Sequence, residues 1–353
     1  MLSSQLIIDF DKQEPSVKTS LVDVTDKLPQ RPPCRILFKN EFEQPSGSFK
    51  LRGIGHLVSR CVKEAKRTEP GKQIHVFASS GGNAGLAAAY LARYYNVNCT
   101  VAIPRISKPE IKKKLCSYGA EIIISGESIY EADQHLKLIL QSVDRDKIVP
   151  IYCHPFENPL IWEGHSTIID EIETQMSDID LRKVRGIVCS VGGGGLYNGI
   201  HQGLLRSKLK LDILLIETKQ APTFHETVKA GSIVTLGNLL SVATSLACSY
   251  LSGQAFENYK DQSQIKTTLE SIDDFESLDA CVSYYDNLKR VTEPACGASL
   301  SVVYNQPNLL QKTFENLIED EIIIVVVCGG SCTTLEGIEE FKRLLADNIP
   351  SKL

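Results

Sequence analysis

This sequence predicts an α/β protein built on open, mostly parallel sheets flanked by helices, on three observations. Short β-branched runs alternate with helical segments along most of the chain. The strand-like runs are apolar throughout rather than alternating, as strands buried on both faces are. Three of the strands run straight into turns rich in Gly or Ser: SSGGNAG (79–85), SVGGGGL (190–196) and CGGSC (328–332).

In chain order, CRILFKNEF (34–42) reads as a strand and 48–66 as a helix. QIHVFASS (73–80) is a strand, and NAGLAAAYLARYY (83–95) a helix rich in small residues. CTVAIP (99–104) precedes a helix, KPEIKKKLCSYG (108–119), that a glycine ends. AEIIISG (120–126) and SIYEADQHLKLILQSVD (128–144) form the next strand and helix. IVPIYCHPF (148–156) leads to a helix with an acidic face at 162–176, and RGIVCSV (185–191) is a buried strand. LDILLIE (211–217) and EIIIVVV (321–327) are two more strands, and the weakly periodic stretch 255–290 reads as surface helices.

The chain has 353 residues, enough for about two domains. Its formal net charge is −5 with Lys and Arg scattered, which argues against a nucleic-acid partner. No apolar run is long enough to span a membrane. MLSSQLIIDFDKQEP, at the N-terminus, has no basic stretch before an apolar core and carries acidic residues early, so no leader is expected. The eleven cysteines are odd in number and contain no CxxC, and several, such as Cys189 and Cys328, sit inside apolar segments, as reduced and mostly buried thiols do. The seven histidines are dispersed and suggest no metal cluster.

In open α/β sheets, ligands bind beyond the carboxyl ends of the strands, so the three turns are expected to serve one site. Four consecutive glycines between a strand and a helix present backbone N–H groups to a phosphate. SVGGGGL lacks the Lys-[ST] of a triphosphate loop and the GxGxxG of a dinucleotide loop. The bland alternative is a turn that lets helix and strand pack closely. In SSGGNAG, Ser79 and Ser80 supply hydroxyls and Asn83 a two-faced amide, which suits a carboxylate and a polar ring substituent. A capped helix start explains the same residues.

EQPSGSFKLRG (43–53) puts Lys50 where a flexible turn becomes a helix. The positive end of the helix dipole disfavours an ammonium there, and apolar Phe49 lowers its pKa further. A neutral amine attacks a carbonyl. Together with a phosphate cradle, that points to pyridoxal 5′-phosphate, whose aldehyde suits the lysine. A solvated lysine is the usual alternative. Cys328, closing the IIIVVVC strand, could meet the pyridine nitrogen as a neutral partner or be a buried structural thiol. A neutral partner favours α,β-elimination over transamination.

PSGSFKLRG, SSGGNAGLAAAY, HPFENPLIWEGH, SVGGGGLYNGI, EPACGA and CGGS, in this order from about residue 40 to 335, resemble the fold-type II pyridoxal-phosphate serine/threonine dehydratases. The fungal catabolic L-serine/L-threonine ammonia-lyases are the most similar branch. The resemblance implies a tryptophan synthase β-like fold of two domains, a large one at 1–43 plus 158–353 and a small inserted one at 44–157. It implies that Lys50 carries the cofactor and shuttles the α-proton, that Phe49 lies against its ring, and that Asn83 bonds the ring hydroxyl. Gly192, Gly193, Gly194, Gly195 and Leu196 would bind phosphate, Cys328 the ring nitrogen, and Ala243 would cover the other ring face. Ser79, Ser80, Gly81, Asn83 and Ala84 would hold the substrate carboxylate. Glu217, Ala221 and Thr223 align with positions that hold a monovalent cation, often K+; an ordinary exposed carboxylate is the other reading of Glu217. The implied reaction is elimination from L-serine or L-threonine to a 2-oxo acid and ammonia, by a cytoplasmic homodimer, with mitochondrial import as the alternative location.

Some segments depart from relatives. KTSLVDV (18–24) stands where relatives often read TP, so this part is expected to pack differently. Gly81 replaces the serine that would protonate the opposite face of the α-carbon in racemases, so racemisation is expected to be weak. About twenty residues follow CGGSC, too few for the regulatory domain of biosynthetic threonine deaminases. GGGG also differs from the GTGGT turn of the sulfhydrylases. The rival readings are a racemase or other β-elimination or β-replacement enzyme of this fold, and a catalytically silent protein binding pyridoxal phosphate or a nucleotide.

Overall fold

The computed structural model describes residues 15–237 and 239–347. The reading of the first fifteen residues as lacking a leader lies, apart from Pro15, outside them. The chain divides into two compact units: Leu51–Pro155, to which residues 15–17 belong, and Lys18–Lys50 with Phe156 onward.

Chain order begins with β1 (Leu21–Asp23), β2 (Arg35–Asn40) and α1 (Lys50–Thr68). Then follow β3 (Gln73–Ser79), α2 (Asn83–Tyr95), β4 (Asn98–Ile103), α3 (Pro109–Ser117), β5 (Glu121–Ile124), α4 (Ile129–Ser142) and β6 (Ile148–Cys153). The chain continues through α5 (Pro159–Gln175), α6 (Asp178–Leu181), β7 (Val184–Ser190), α7 (Gly195–Arg206), β8 (Asp212–Thr218) and α8 (Thr223–Ala230). It closes with α9 (Gly253–Lys260), β9 (Thr267–Ile272), α10 (Asp274–Leu288), α11 (Pro294–Tyr304), α12 (Pro307–Thr313), β10 (Ile322–Val327) and α13 (Leu335–Ala346).

The smaller unit holds a four-stranded sheet in the order β5-β4-β3-β6, all parallel. Its helices start where capping residues predict. The Ser128 side chain accepts the Glu131 N–H at 3.2 Å to open α4. Ala-rich α2 buries nearly its whole length, because small side chains let it lie close on the sheet.

The larger unit holds a six-stranded sheet in the order β1-β2-β10-β7-β8-β9. Only β1 is antiparallel, to β2. IIIVVV fills the centre as β10, buried at every position, because it has neighbours in the sheet on both sides. Asn158 caps α5 through the Leu160 N–H at 2.9 Å, with Pro159 at the first helical position.

Two expectations are corrected. The stretch 255–290 contains a strand as well as helices: TTLESI forms edge strand β9, paired in parallel with β8. The helix expected at 48–66 starts at Lys50, because Ser48 pairs as an isolated bridge with Gly329.

Candidate active site

Lys50 owes its position to backbone bonds. After β10 the chain turns through Cys328–Ser331, and residues 46–49 run antiparallel beside that turn. The Phe49 N–H donates to the Cys328 carbonyl at 3.2 Å, and the Gly330 N–H to the Gly47 carbonyl at 2.9 Å. The Ser331 hydroxyl donates to the Ser46 carbonyl at 2.8 Å. Lys50 follows at once as the first residue of α1, with Nζ 5.0 Å from the centre of the Phe49 ring. The Phe49 ring lies 5.0 Å from that of buried His165.

Desolvation lowers the Lys50 pKa below the ordinary lysine value, against the opposing pull of the nearby Glu293 carboxylate. A lysine so placed releases its proton more readily than a surface one, which is what a nucleophilic amine needs. Cys328 is buried, and its thiol is held well above the ordinary value by its bond to the Cys296 side chain and by burial. It is therefore a neutral group at neutral pH.

The glycine turn closes the end of β7. Gly194 sits at φ +87°, in the left-handed region, and caps α7. A β-carbon on Gly193 would collide with the Phe156 ring, so the close approach there requires glycine. The Asn198 N–H bonds back to the Gly194 carbonyl at 2.9 Å. The amides before it have no acceptor in the ladder of α7 and lie at its positive end, which fits a phosphate dianion. Ala243 is fully buried in a segment pinned by its own N–H to the Ser241 hydroxyl at 3.0 Å. The larger unit thus brings Lys50, Phe49 and Cys328 together and places the glycine turn at a strand end. An amine with a lowered pKa and an anion cradle fit the aldehyde and phosphate of pyridoxal phosphate.

Glu217 is buried at the end of β8 and is no surface carboxylate. Its oxygens accept the N–H groups of Phe224 at 2.9 Å and His225 at 3.1 Å, and the His225 ring. That bond raises the His225 pKa. Thr223 donates its hydroxyl to the Cys248 carbonyl at 2.6 Å, and the Ala221 N–H bonds to the Thr218 carbonyl at 2.9 Å. Among the described residues, no group of three His, Cys, Asp or Glu side chains could hold a metal ion.

The smaller unit carries the other glycine turn, between β3 and α2. Ser79 is buried, and its hydroxyl donates to Asp133 at 2.5 Å. The Ser80 hydroxyl accepts the Gly82 N–H at 3.2 Å. Gly81 lies in the turn itself, Asn83 opens α2 as a buried residue, and buried Ala84 follows it.

Four further residues of the larger unit were not named by sequence reasoning: Cys248, Thr292, Glu293 and Cys296. Cys296 is fully buried and bonds the Cys328 side chain, the Thr292 side chain and the Gly329 backbone. The segment EPACGA contains Glu293 and Cys296 and adjoins Thr292, and Cys248 follows the segment that carries Ala243.

The sequence family described as pyridoxal-phosphate dependent enzyme matches residues 17–344. The chain belongs to that family. Among pyridoxal-phosphate dependent enzymes it is 46% identical to an L-serine dehydratase of Saccharomyces cerevisiae, over 85% of this chain and 89% of that one. It is 42% identical to a catabolic L-serine/threonine dehydratase of Saccharomyces cerevisiae, over 89% and 87%. The crystal structure of a fungal L-serine ammonia-lyase from Rhizomucor miehei superposes with a TM-score of 0.81 at 29% identity, covering 94% of this chain and 99% of that one. The mixed α/β architecture with parallel sheets is therefore that of the fold-type II pyridoxal-phosphate enzymes, as the motifs implied.

Proposed function

We propose that this pyridoxal-phosphate enzyme converts L-serine to pyruvate and ammonia, and L-threonine to 2-oxobutanoate and ammonia. The observation that carries the reading is Lys50, desolvated and backbone-anchored beside the neutral Cys328 thiol. The dehydratases at 42–46% identity support the same substrates.

Pyridoxal phosphate, when bound, supplies an aldehyde for amines and a ring that withdraws electrons from the α-carbon. Lys50 would hold that aldehyde, and its amine would take the α-proton of the substrate. The backbone amides of Gly192, Gly193, Gly194, Gly195 and Leu196 hold the phosphate. Phe49 and Ala243 would pack beside the cofactor ring, and Asn83 would offer its amide to the ring hydroxyl. Cys328 would meet the ring nitrogen as an uncharged partner, which would favour loss of the β-hydroxyl over transamination. The turn from Ser79 to Ala84, with Ser80 and Gly81 at its tip, holds the substrate carboxylate through its amides.

The test is the holoenzyme with L-serine, following the visible absorbance band together with pyruvate and ammonia. Equal amounts of both products are expected; a protein that binds serine and releases no 2-oxo acid would sink the reading.

Gly81 has a role by omission, since no acid stands there to return a proton to the opposite face. A β-carbon at Gly81 would lie 2.5 Å from the Ser107 hydroxyl, the free end of a side chain that rotates away. Gly81→Ser is expected to produce measurable D-serine from L-serine by chiral chromatography. If no D-serine forms, the facial-acid argument fails.

We also place a monovalent cation at Glu217, Ala221 and Thr223, on the buried carboxylate and the neighbouring oxygens. His225 already donates to that carboxylate and competes for its charge. Exchanging K+ for tetramethylammonium is expected to lower turnover severalfold; unchanged turnover would mean that His225 alone meets the charge. The same reading includes a homodimer, tested by sedimentation, and the cytoplasm. Eleven free thiols support a reducing compartment. Among the described residues, no helix is long and apolar enough to cross a membrane.

A further inference from the structure

We propose that Asp133 is a positioning residue for the substrate-carboxylate turn, acting through Ser79 and Tyr152. The inference rests on the proposed role of residues 79–84.

Asp133 lies in the second turn of α4 and is 8% exposed. One of its oxygens accepts two hydroxyls, that of Ser79 at 2.5 Å and that of Tyr152. The other meets the Lys137 ammonium at 2.7 Å. Ser79 ends β3, and Tyr152 lies on β6, the parallel neighbour of β3, where it is in register with Phe77. A single carboxylate therefore ties a helix to the ends of two adjacent strands, at the point where the chain leaves β3 for the turn.

Packing alone does not account for an acid here. An apolar cluster lies close by, with Phe77, Ala102, Ala132 and Leu136 buried and Tyr152 packed against it. What only a carboxylate does at this position is hold two hydroxyls on one oxygen while a cation balances its charge. Burial alone would raise the Asp133 pKa, but the bonds from Lys137, Ser79 and Tyr152 outweigh it and keep the group ionised. The Ser79 hydroxyl is committed to this bond. Its contribution to substrate binding is thus to fix the backbone from which the amides of residues 80–83 point.

The test is Asp133→Asn in the holoenzyme, which keeps the shape and removes the charge. Two quantities are read: the KM for L-serine, and the half-saturation of the spectral response to L-serine and to 2-aminoethanol. 2-Aminoethanol has the amine and hydroxyl of serine without its carboxylate. The L-serine values are expected to rise about tenfold or more, because small displacements of a binding group are costly. The 2-aminoethanol value is expected to hold. Ser79→Ala should do the same, and combining it with Asp133→Asn should add little, since both act through one bond. Unchanged L-serine values, or equal weakening for both ligands, would overturn the proposal. Should Asp133→Asn fail to fold, Tyr152→Phe and Ser79→Ala carry the same expectation. A wild-type protein that binds L-serine but makes no pyruvate would sink the proposed reaction, while the two spectral titrations would still decide the role of Asp133.

Discussion

Lys50→Ala should remove the visible absorbance of the bound cofactor and lower turnover of L-serine by at least ~10³-fold, since one residue supplies both the amine and the proton transfer. The fold should survive. Lys50 is the first residue of α1, where alanine is a good helix former and where a cation opposes the helix dipole. Stability is therefore expected to stay level or rise by about 0.5 kcal/mol. Added methylamine offers a further check, because a small amine entering the vacated space should restore part of the proton transfer. A yellow, active Lys50→Ala protein would remove the assignment altogether.

Lys39→Ala should do the opposite: retain the colour and lose stability. Lys39 is fully buried on β2. Its ammonium donates to the Thr19 carbonyl at 2.8 Å, Glu171 at 2.6 Å and Gln175 at 2.9 Å. With its ammonium engaged by a carboxylate and two further acceptors, this lysine serves as a structural tie. Removing it takes the cation from the largely buried Glu171 carboxylate, which keeps only a neutral donor in the Thr19 N–H, a loss of about 3–5 kcal/mol. Chemical denaturation of both variants reads the contrast, with the midpoint falling for Lys39→Ala only. If Lys39→Ala instead bleaches the protein at unchanged stability, the two lysines have been assigned the wrong way round.

That contrast shows where sequence reading succeeds and where it stops. Lys50 was legible because its neighbours are informative: Gly47 and Ser48 announce a turn, and the following apolar period announces a helix. Lys39 was not, since a lysine inside a strand pattern carries no sign of which side chains will surround it. Central strands such as β10 were legible from composition alone, being buried on both faces. Edge strand β9, TTLESI, was missed because its polar residues look like a surface segment, and its burial is uneven. Helix α11 was missed for the opposite reason: it is buried on every side and shows no amphipathic period. Asp133 and Cys296 escaped because their partners, Ser79 and Cys328, are distant in sequence, and only the folded chain brings them within hydrogen-bonding reach.

The bridge between residues 46–49 and the turn after β10 also bears on the order of events during synthesis. Strand β2 has β10 as its parallel neighbour, and β10 is the last strand among the described residues. The segment that carries Lys50 leaves the ribosome well before the partner that anchors it. The intervening Leu51–Pro155 unit has its own sheet and can fold while the segment waits. Cofactor capture is thereby a late event, and nascent chains released before β10 should remain colourless however well that unit has folded.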